Sequence, residues 1–380
     1  MTDVFVVGGS LAGLAVAIAA RARGFRVVVA DCAGPSIDKS CGEGMLPETV
    51  EALGSLGVGL PDPVDSHPLR GIRFRGEGAT ADAPFPHGEG IGVRRTILHQ
   101  LLVDRAAAVG VEMRWGVRIG ALADIRARWI VGADGQGSRV RRWAGLDECV
   151  RESRRYGFRR HYRAAPWTDR VEVYWARQCQ MYVTPVSPNE VCLALLSRDP
   201  HIRMADAEAT FPGLMARLAG ASLATNERGA VTATRRLRRV CRGNVALAGD
   251  ASGSVDAITG QGIGLAFRQA LRLAEALENE DLASYRRWHR RAMRRPAFMA
   301  DLLRLLDRFP GLQGPALGAL ESWPRLFARL VAFHTAGDTP VGPLSDETAR
   351  LRSSIAGPVA TRTSPDGGEC PSPACPQGRT

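Results

Sequence analysis

Val4-Phe5-Val6-Val7-Gly8-Gly9-Ser10-Leu11-Ala12-Gly13 stands at the head of the chain and decides how the rest is read. Its first four residues are β-branched or aromatic, the mark of a buried strand. An Ala/Leu-rich run over 10–23 predicts a helix, stopped by Gly24, and 26–30 predict a second apolar strand ending at Asp31. This is a β-α-β unit in about thirty residues. The turn approximates G-x-G-x-x-G: Gly8 allows a tight bend, Gly13 a close helix–strand approach, and Ser10 takes the middle glycine's place. A helix that starts there directs N–H groups and a positive dipole end at a phosphate. Asp31 stands where an acid bonds ribose hydroxyls.

Two further segments repeat the logic of an apolar strand running into Gly and Asp. The first is Trp129-Ile130-Val131-Gly132-Ala133-Asp134-Gly135-Gln136-Gly137-Ser138-Arg139. The second is Gly243-Asn244-Val245-Ala246-Leu247-Ala248-Gly249-Asp250-Ala251, continuing to Thr259-Gly260-Gln261-Gly262-Ile263-Gly264. Each places an aspartate at the C-terminal end of a strand, where ligands bind in open α/β sheets. Asp250 suits a polyhydroxy chain, and Gly260 to Gly264 open a helix over 262–278.

Between these landmarks, helices are predicted over 46–56 and 96–109, with loops and short strands over 57–90. From about 152 to 235 the texture changes: 171–175, 180–184 and 191–196 read as strands, and 204–219 as a helix. This predicts an antiparallel sheet inserted into a nucleotide-binding fold. Residues 282–335 predict helices broken at Pro296 and Pro310, and 336–380 a disordered Pro/Gly/Ser/Thr-rich tail.

The formal charge is +11, but Lys39 is the sole lysine and the arginines are scattered. With no nucleic-acid reading motif beside them, a nucleic-acid partner is not expected. The eight cysteines show no CxxC pair or metal-ligand spacing, so reduced thiols in a cytoplasmic protein and no metal are expected; Cys370 and Cys375 are incidental. The apolar start lacks the basic flank of a signal peptide. No run reaches the length of a membrane span.

The order of the three motifs, over residues 1 to about 280, resembles the FAD-dependent monooxygenase and geranylgeranyl-reductase superfamily. The resemblance implies a Rossmann-type, glutathione-reductase-like FAD domain (1–70, 91–150, 236–281), an inserted substrate sheet (71–90, 151–235) and C-terminal helices (282–335). It implies FAD contacts from Gly8, Ser10, Leu11, Ala12, Gly13, Asp31, Cys41, Gly42, Arg95, Gly249 and Asp250. Asp134, Gly135 and Arg139 fall on the pyrophosphate side, and Gly260, Gly262, Ile263 and Gly264 border the isoalloxazine. His161, Tyr162, Tyr174 and Tyr182 are candidates to line the substrate pocket.

The resemblance further implies an NAD(P)H-dependent monooxygenase that hydroxylates an apolar or phenolic substrate with O₂ through a C4a-hydroperoxyflavin. The alternative is a reductase acting on an isoprenoid or lipid double bond, favoured by Asp256-Ala257 and by Cys41-Gly42-Glu43-Gly44. Halogenation needs a lysine downstream of the FAD loop and a Trp-x-Trp-x-Ile-Pro segment; Lys39 lies inside that loop, and 181–185 carries no tryptophan. No catalytic side chain is identified. The Trp/Phe/Leu-rich helices at 296–335 raise a peripheral membrane contact, and the oligomeric state is left open.

Overall fold

The computed structural model describes residues 2–336. The expected tail beyond 336, with Cys370 and Cys375, lies outside them. A six-stranded sheet runs in the order Glu112–Trp115, Val27–Asp31, Thr2–Val7, Ala127–Gly132, Val245–Leu247, Cys241–Arg242. The first five strands are parallel and the sixth antiparallel. In chain order the parallel strands read 3-2-1-4-5, the doubly wound arrangement, so the order reverses between the first and fourth strands. There Phe5 pairs with both Val28 and Ile130. Strand residues 4–6 and 27–30 are buried, as a parallel sheet covered on both faces requires.

Leu11–Arg21 packs on this sheet and on Gly262–Glu278. Its small residues permit the approach: residues 13–20 are all buried. A Cβ added at Gly13 would stand 1.7 Å from the Gly8 carbonyl oxygen. The strand Glu112–Trp115 was not expected, being too short to show a period.

The second sheet follows the order Ser222–Leu223, Cys149–Arg163, Glu190–Ser197, Cys179–Ser187, Arg170–Trp175, Gly71–Gly76, Ala79–Pro84, with Arg228–Leu237 also on Cys149–Arg163. It is antiparallel except where Arg170–Trp175 lies parallel to Gly71–Gly76, so the purely antiparallel expectation is corrected at that pair. Two long strands, Cys149–Arg163 and Arg228–Leu237, were missed. The helix expected over 204–219 is two, Met204–Thr210 and Pro212–Arg217, because Pro212 starts a new one. A three-stranded sheet of Gly44–Met45, Gly90–Val93 and Ser66–Leu69 joins the halves.

Leu282–Ala292, Arg294–Arg308, Gln313–Ser322 and Pro324–Thr335 follow. The expected break at Pro296 falls instead at Met293; Pro296 sits in the first turn of Arg294–Arg308, where a missing N–H costs nothing. Among the described residues, no helix is long and apolar enough to cross a membrane.

Candidate cofactor and substrate cavity

The three glycine–aspartate turns meet at the point where the strand order reverses. Gly8 has φ +109°, and a Cβ there would lie 2.4 Å from the Ala133 carbonyl oxygen; one on Gly249, at φ +59°, would lie 2.6 Å from Ala12. The loops are therefore packed to a separation only glycine allows. The Gly8–Gly9 turn is also held from the side: Gly9 N–H donates to Asp31 Oδ2 at 2.7 Å, and buried His99 Nε2 meets the Gly9 carbonyl at 2.9 Å.

A cavity of about 880 Å³ opens on these loops. Of the expected cofactor residues, Ser10, Leu11, Ala12, Cys41, Gly42, Arg95, Gly135, Gly249, Asp250, Gly260, Gly262 and Ile263 line it. Gly8, Gly13 and Gly264 act behind it: a Cβ on Gly264 would strike Thr49 Oγ1. Asp31 accepts from Gly9 N and Ala33 N. Asp134 accepts from Ser138 Oγ and from the N–H groups of Arg139 and Val140, so it secures the start of Arg139–Trp143. Arg139 is outside the lining, its guanidinium over the Trp143 ring at 5.0 Å.

Arg95 begins the helix Arg95–Ala108 and donates to Ser10 Oγ at 2.9 Å, which brings a cation to the first turn. Lys39 projects into the same groove. Burial and the nearby Arg95 push its ammonium down, against the opposing pull of Asp250, Asp31 and Asp134. Burial pushes the Asp250 carboxyl up, and Lys39 and Arg95 hold it back only partly. The groove thus offers cations and helix N–H groups beside a carboxylate acceptor, the donor set a pyrophosphate and a ribityl chain need. FAD fits it.

The cavity continues away from the loops into an apolar chamber. Ile72, Phe74, Val171 and Val173 line it from the second sheet, Leu303 and Phe327 from the C-terminal helices. Tyr182 also lines it and donates to the Ile258 carbonyl at 2.8 Å. Tyr162 and Tyr174 do not line it. Their hydroxyls donate to Glu208 and Glu172, and both rings pack with the helices of 204–217. Along Cys149–Arg163, alternation sends Tyr162 to one face and His161 to the other.

The sequence reading missed two buried charge networks. Glu43, at φ +60°, is a non-glycine residue held in a left-handed conformation. Its carboxylate accepts from Arg159 Nη1 at 2.6 Å and the Arg95 backbone at 3.1 Å, and meets His161 Nε2 at 2.5 Å. Burial opposes the charge, but His161 and Arg159 outweigh it and hold the carboxyl low. Cys192 lies near this pair, within reach of a shared metal ion. The Arg159 guanidinium already takes the cation's place, so a second cation is disfavoured. The other network joins buried Arg155 to Asp256 at 2.8 Å and Asp307 at 2.9 Å; Gln180 donates to Asp307 at 2.6 Å. Alternate residues 155, 159 and 161 were the available signal, an i, i+2 pattern hidden inside an apparent arginine cluster.

The model of a family described as "FAD binding domain" matches residues 1–124 and 118–281. A 12-dehydrotetracycline 5-monooxygenase/anhydrotetracycline 6-monooxygenase of Streptomyces rimosus is 29% identical over 165 residues, 38% of this chain and 33% of that protein. A menaquinone reductase of Mycolicibacterium smegmatis is 36% identical over 123 residues, 31% of this chain and 29% of the reductase. The match thus spans about a third of these relatives' length. A solved flavin-dependent brominase superposes with a TM-score of 0.73 at 18% identity, over 93% of this chain and 98% of that one, a likeness of fold. The two matched segments together span residues 1–281 and take in all three turns, and the chain belongs to the FAD-binding domain family.

Proposed function

We propose that this protein is an NAD(P)H-dependent FAD monooxygenase for a small apolar or aromatic substrate. The observation that carries the proposal is the continuity of the dinucleotide groove with an apolar chamber. The overall reaction consumes one O₂, one NAD(P)H and one proton, and yields hydroxylated substrate, water and NAD(P)⁺. Hydride acceptance and onward transfer of the two electrons belong to bound FAD. The chain's residues bind, orient and exclude water. Ser10, Arg95 and Lys39 hold the phosphates, and Asp250 holds the ribityl hydroxyls. Tyr182 ties the second sheet to the Ala257–Thr259 turn beside the cofactor. Phe74, Leu303 and Phe327 desolvate the substrate. Thr232 lines the cavity with a buried hydroxyl that lacks a partner, a ready bond for a substrate's polar atom. The Streptomyces monooxygenase match supports the same reading.

The test is oxygen uptake coupled to NAD(P)H oxidation by the FAD-loaded protein, with phenolic and polycyclic candidates, and a product heavier by one oxygen from ¹⁸O₂. The match to menaquinone reductase favours a second reading, reduction of an isoprenoid quinone or double bond. Turnover of such a substrate without oxygen establishes it and sinks the first. Exposed Phe298, Leu305, Phe309, Leu312, Trp323 and Phe333 on the C-terminal helices, beside exposed Arg294, Arg308 and Arg325, support a peripheral contact with anionic bilayers. Co-sedimentation with phosphatidylglycerol vesicles, lost in Trp323→Ser/Phe309→Ser, checks it.

A further inference from the structure

The strand Arg228–Leu237 is a free edge of the second sheet. Among the described residues its partner strand is Cys149–Arg163, in unbroken register from Arg228↔Arg159 to Arg236↔Arg151. In such an antiparallel pair the backbone N–H and C=O of alternate residues turn toward the partner and away from it. Ala233 and Arg235 turn away. Ala233 N–H donates to Gln136 Oε1 at 3.1 Å, and its carbonyl accepts from Ser254 Oγ. Arg235 N–H donates to the Ser254 carbonyl, and the Arg235 carbonyl accepts from Ser254 N–H, both at 2.9 Å. The same alternation turns Val231 and Gly229 outward, and no described residue pairs with their N–H or C=O groups on that side.

These groups face the cavity. Gln136 and Ser254, which take the next positions along the edge, line it, and so do residues 229–232. Val231 is 53% exposed, and Gly229 and Ala230 are exposed, so this part of the wall is reached from solvent. Sheet edges are commonly blunted by a proline, a bulge or a charge. Gly229-Ala230-Val231-Thr232 carries no proline and no charge, and its register has no bulge. Arg228 beside it is engaged by Asp38 at 3.0 Å.

The occupied positions show what chemistry the edge accepts. A side-chain carboxamide, that of Gln136, takes the N–H of Ala233; a peptide N–H and C=O, those of Ser254, take both groups of Arg235. Val231 offers the same donor and acceptor side by side. An amide answers both at once, whereas a carboxylate, ester or ketone has no donor for the carbonyl. We propose that the Val231 edge binds an amide group of a ligand seated in the cavity. The amide has two sources: the carboxamide of the dinucleotide reductant, or an amide in the substrate. The first source rests on the NAD(P)H-dependent reading; the site itself does not.

The experiment is calorimetric titration of the FAD-loaded protein with two ligand pairs. NAD⁺ is set against its 3-acetylpyridine analogue, and acetanilide against phenyl acetate. The second member of each pair keeps the carbonyl and loses the N–H. Val231→Pro removes the outward N–H without costing a ladder bond, because edge strands admit proline where the N–H faces away. Val231→Thr keeps the N–H. Expected is a preference of about three- to tenfold for the amide member of one pair, lost in Val231→Pro and kept in Val231→Thr. A preference within the dinucleotide pair assigns the edge to the reductant, and one within the acetanilide pair assigns it to the substrate. Hydrogen exchange of the wild type, read by mass on peptides spanning 229–233, should slow when the preferred amide is bound. This second measurement stands even if Val231→Pro does not hold flavin. No amide preference in either pair, a preference that survives Val231→Pro, or unchanged exchange overturns the proposal. So does a wild-type dimer that Val231→Pro dissolves, because the edge then serves a second copy of the chain. Binding and exchange need no turnover, so an inactive protein that still prefers the amide defeats only the functional reading.

Discussion

Arg155→Met tests the energetics of the substrate side of the fold. Arg155 is 3% exposed and bridges Asp256 and Asp307, themselves 2% and 1% exposed. Burial disfavours its charge, but Asp256 and Asp307 outweigh that and hold the guanidinium ionised. Methionine removes the charge and keeps much of the volume. Asp307 then keeps Gln180 and half-exposed Arg198, while Asp256 keeps the Ile258 N–H and Arg304 at 3.7 Å. Removing one partner of a buried pair costs about 3–5 kcal/mol, because the two carboxylates lose their buried cation and are left with a half-exposed or more distant one. Against a total stability of roughly 5–15 kcal/mol this is a large loss. The assay is urea unfolding followed by far-UV circular dichroism and flavin fluorescence. The triple variant Arg155→Met/Asp256→Asn/Asp307→Asn removes the charges together and should recover most of the loss. The deficit of the single variant should also shrink as pH falls and the stranded carboxyls protonate. A loss below about 1 kcal/mol, or a triple variant less stable than the single one, would refute this account.

Five other outcomes follow from the geometry. Gly8→Ala forces a Cβ against Ala133 at a positive φ, so the protein should purify without flavin, read from its absorbance near 450 nm. Asp250→Asn should weaken FAD roughly ten- to hundredfold by loss of a charged acceptor, measured by quenching of flavin fluorescence. Burial depresses His289 to about 4, below the unfolded value near 6.5, so stability from its neutral form is full above 6.5 and drains away as pH falls toward 4; His289→Gln should flatten that decline in urea titrations. Burial raises Glu48 to about 7, so its contribution has the opposite sign, and Glu48→Gln should stabilise by on the order of 2 kcal/mol at pH 8 and do nothing at pH 4. The sole lysine gives a footprint: acetylation of Lys39, read by peptide mass, should be slowed by FAD and restored when FAD is stripped.

The nucleotide-binding half was legible because its signals are local. Gly8, Gly13 and Gly249 are irreplaceable at their contacts, and a strand–turn–helix leaves its pattern within a few residues. The second half depends on pairings far apart in the chain. Cys149–Arg163 carries arginines on both faces, so charge masks its period; Arg155 and Arg159 turn inward only because Asp256, Asp307, Asp38 and Glu43 come from elsewhere to meet them. Tyr162 and Tyr174 were sensible guesses by residue type. Which face a strand residue takes is set by its neighbours, and theirs are the helices of 204–217.

The parallel sheet also fixes an order of events during synthesis. Its first four strands are complete once Gly132 has left the ribosome, but Ala127–Gly132 then stands as an open edge. The strand that closes it, Val245–Leu247, arrives more than a hundred residues later, after the whole second sheet. Until then a nascent chain exposes unpaired N–H and C=O groups beside Ile130 and Val131, an invitation to pair with another copy. A pause in translation within residues 133–244 should therefore lower the soluble yield more than the same pause after 247.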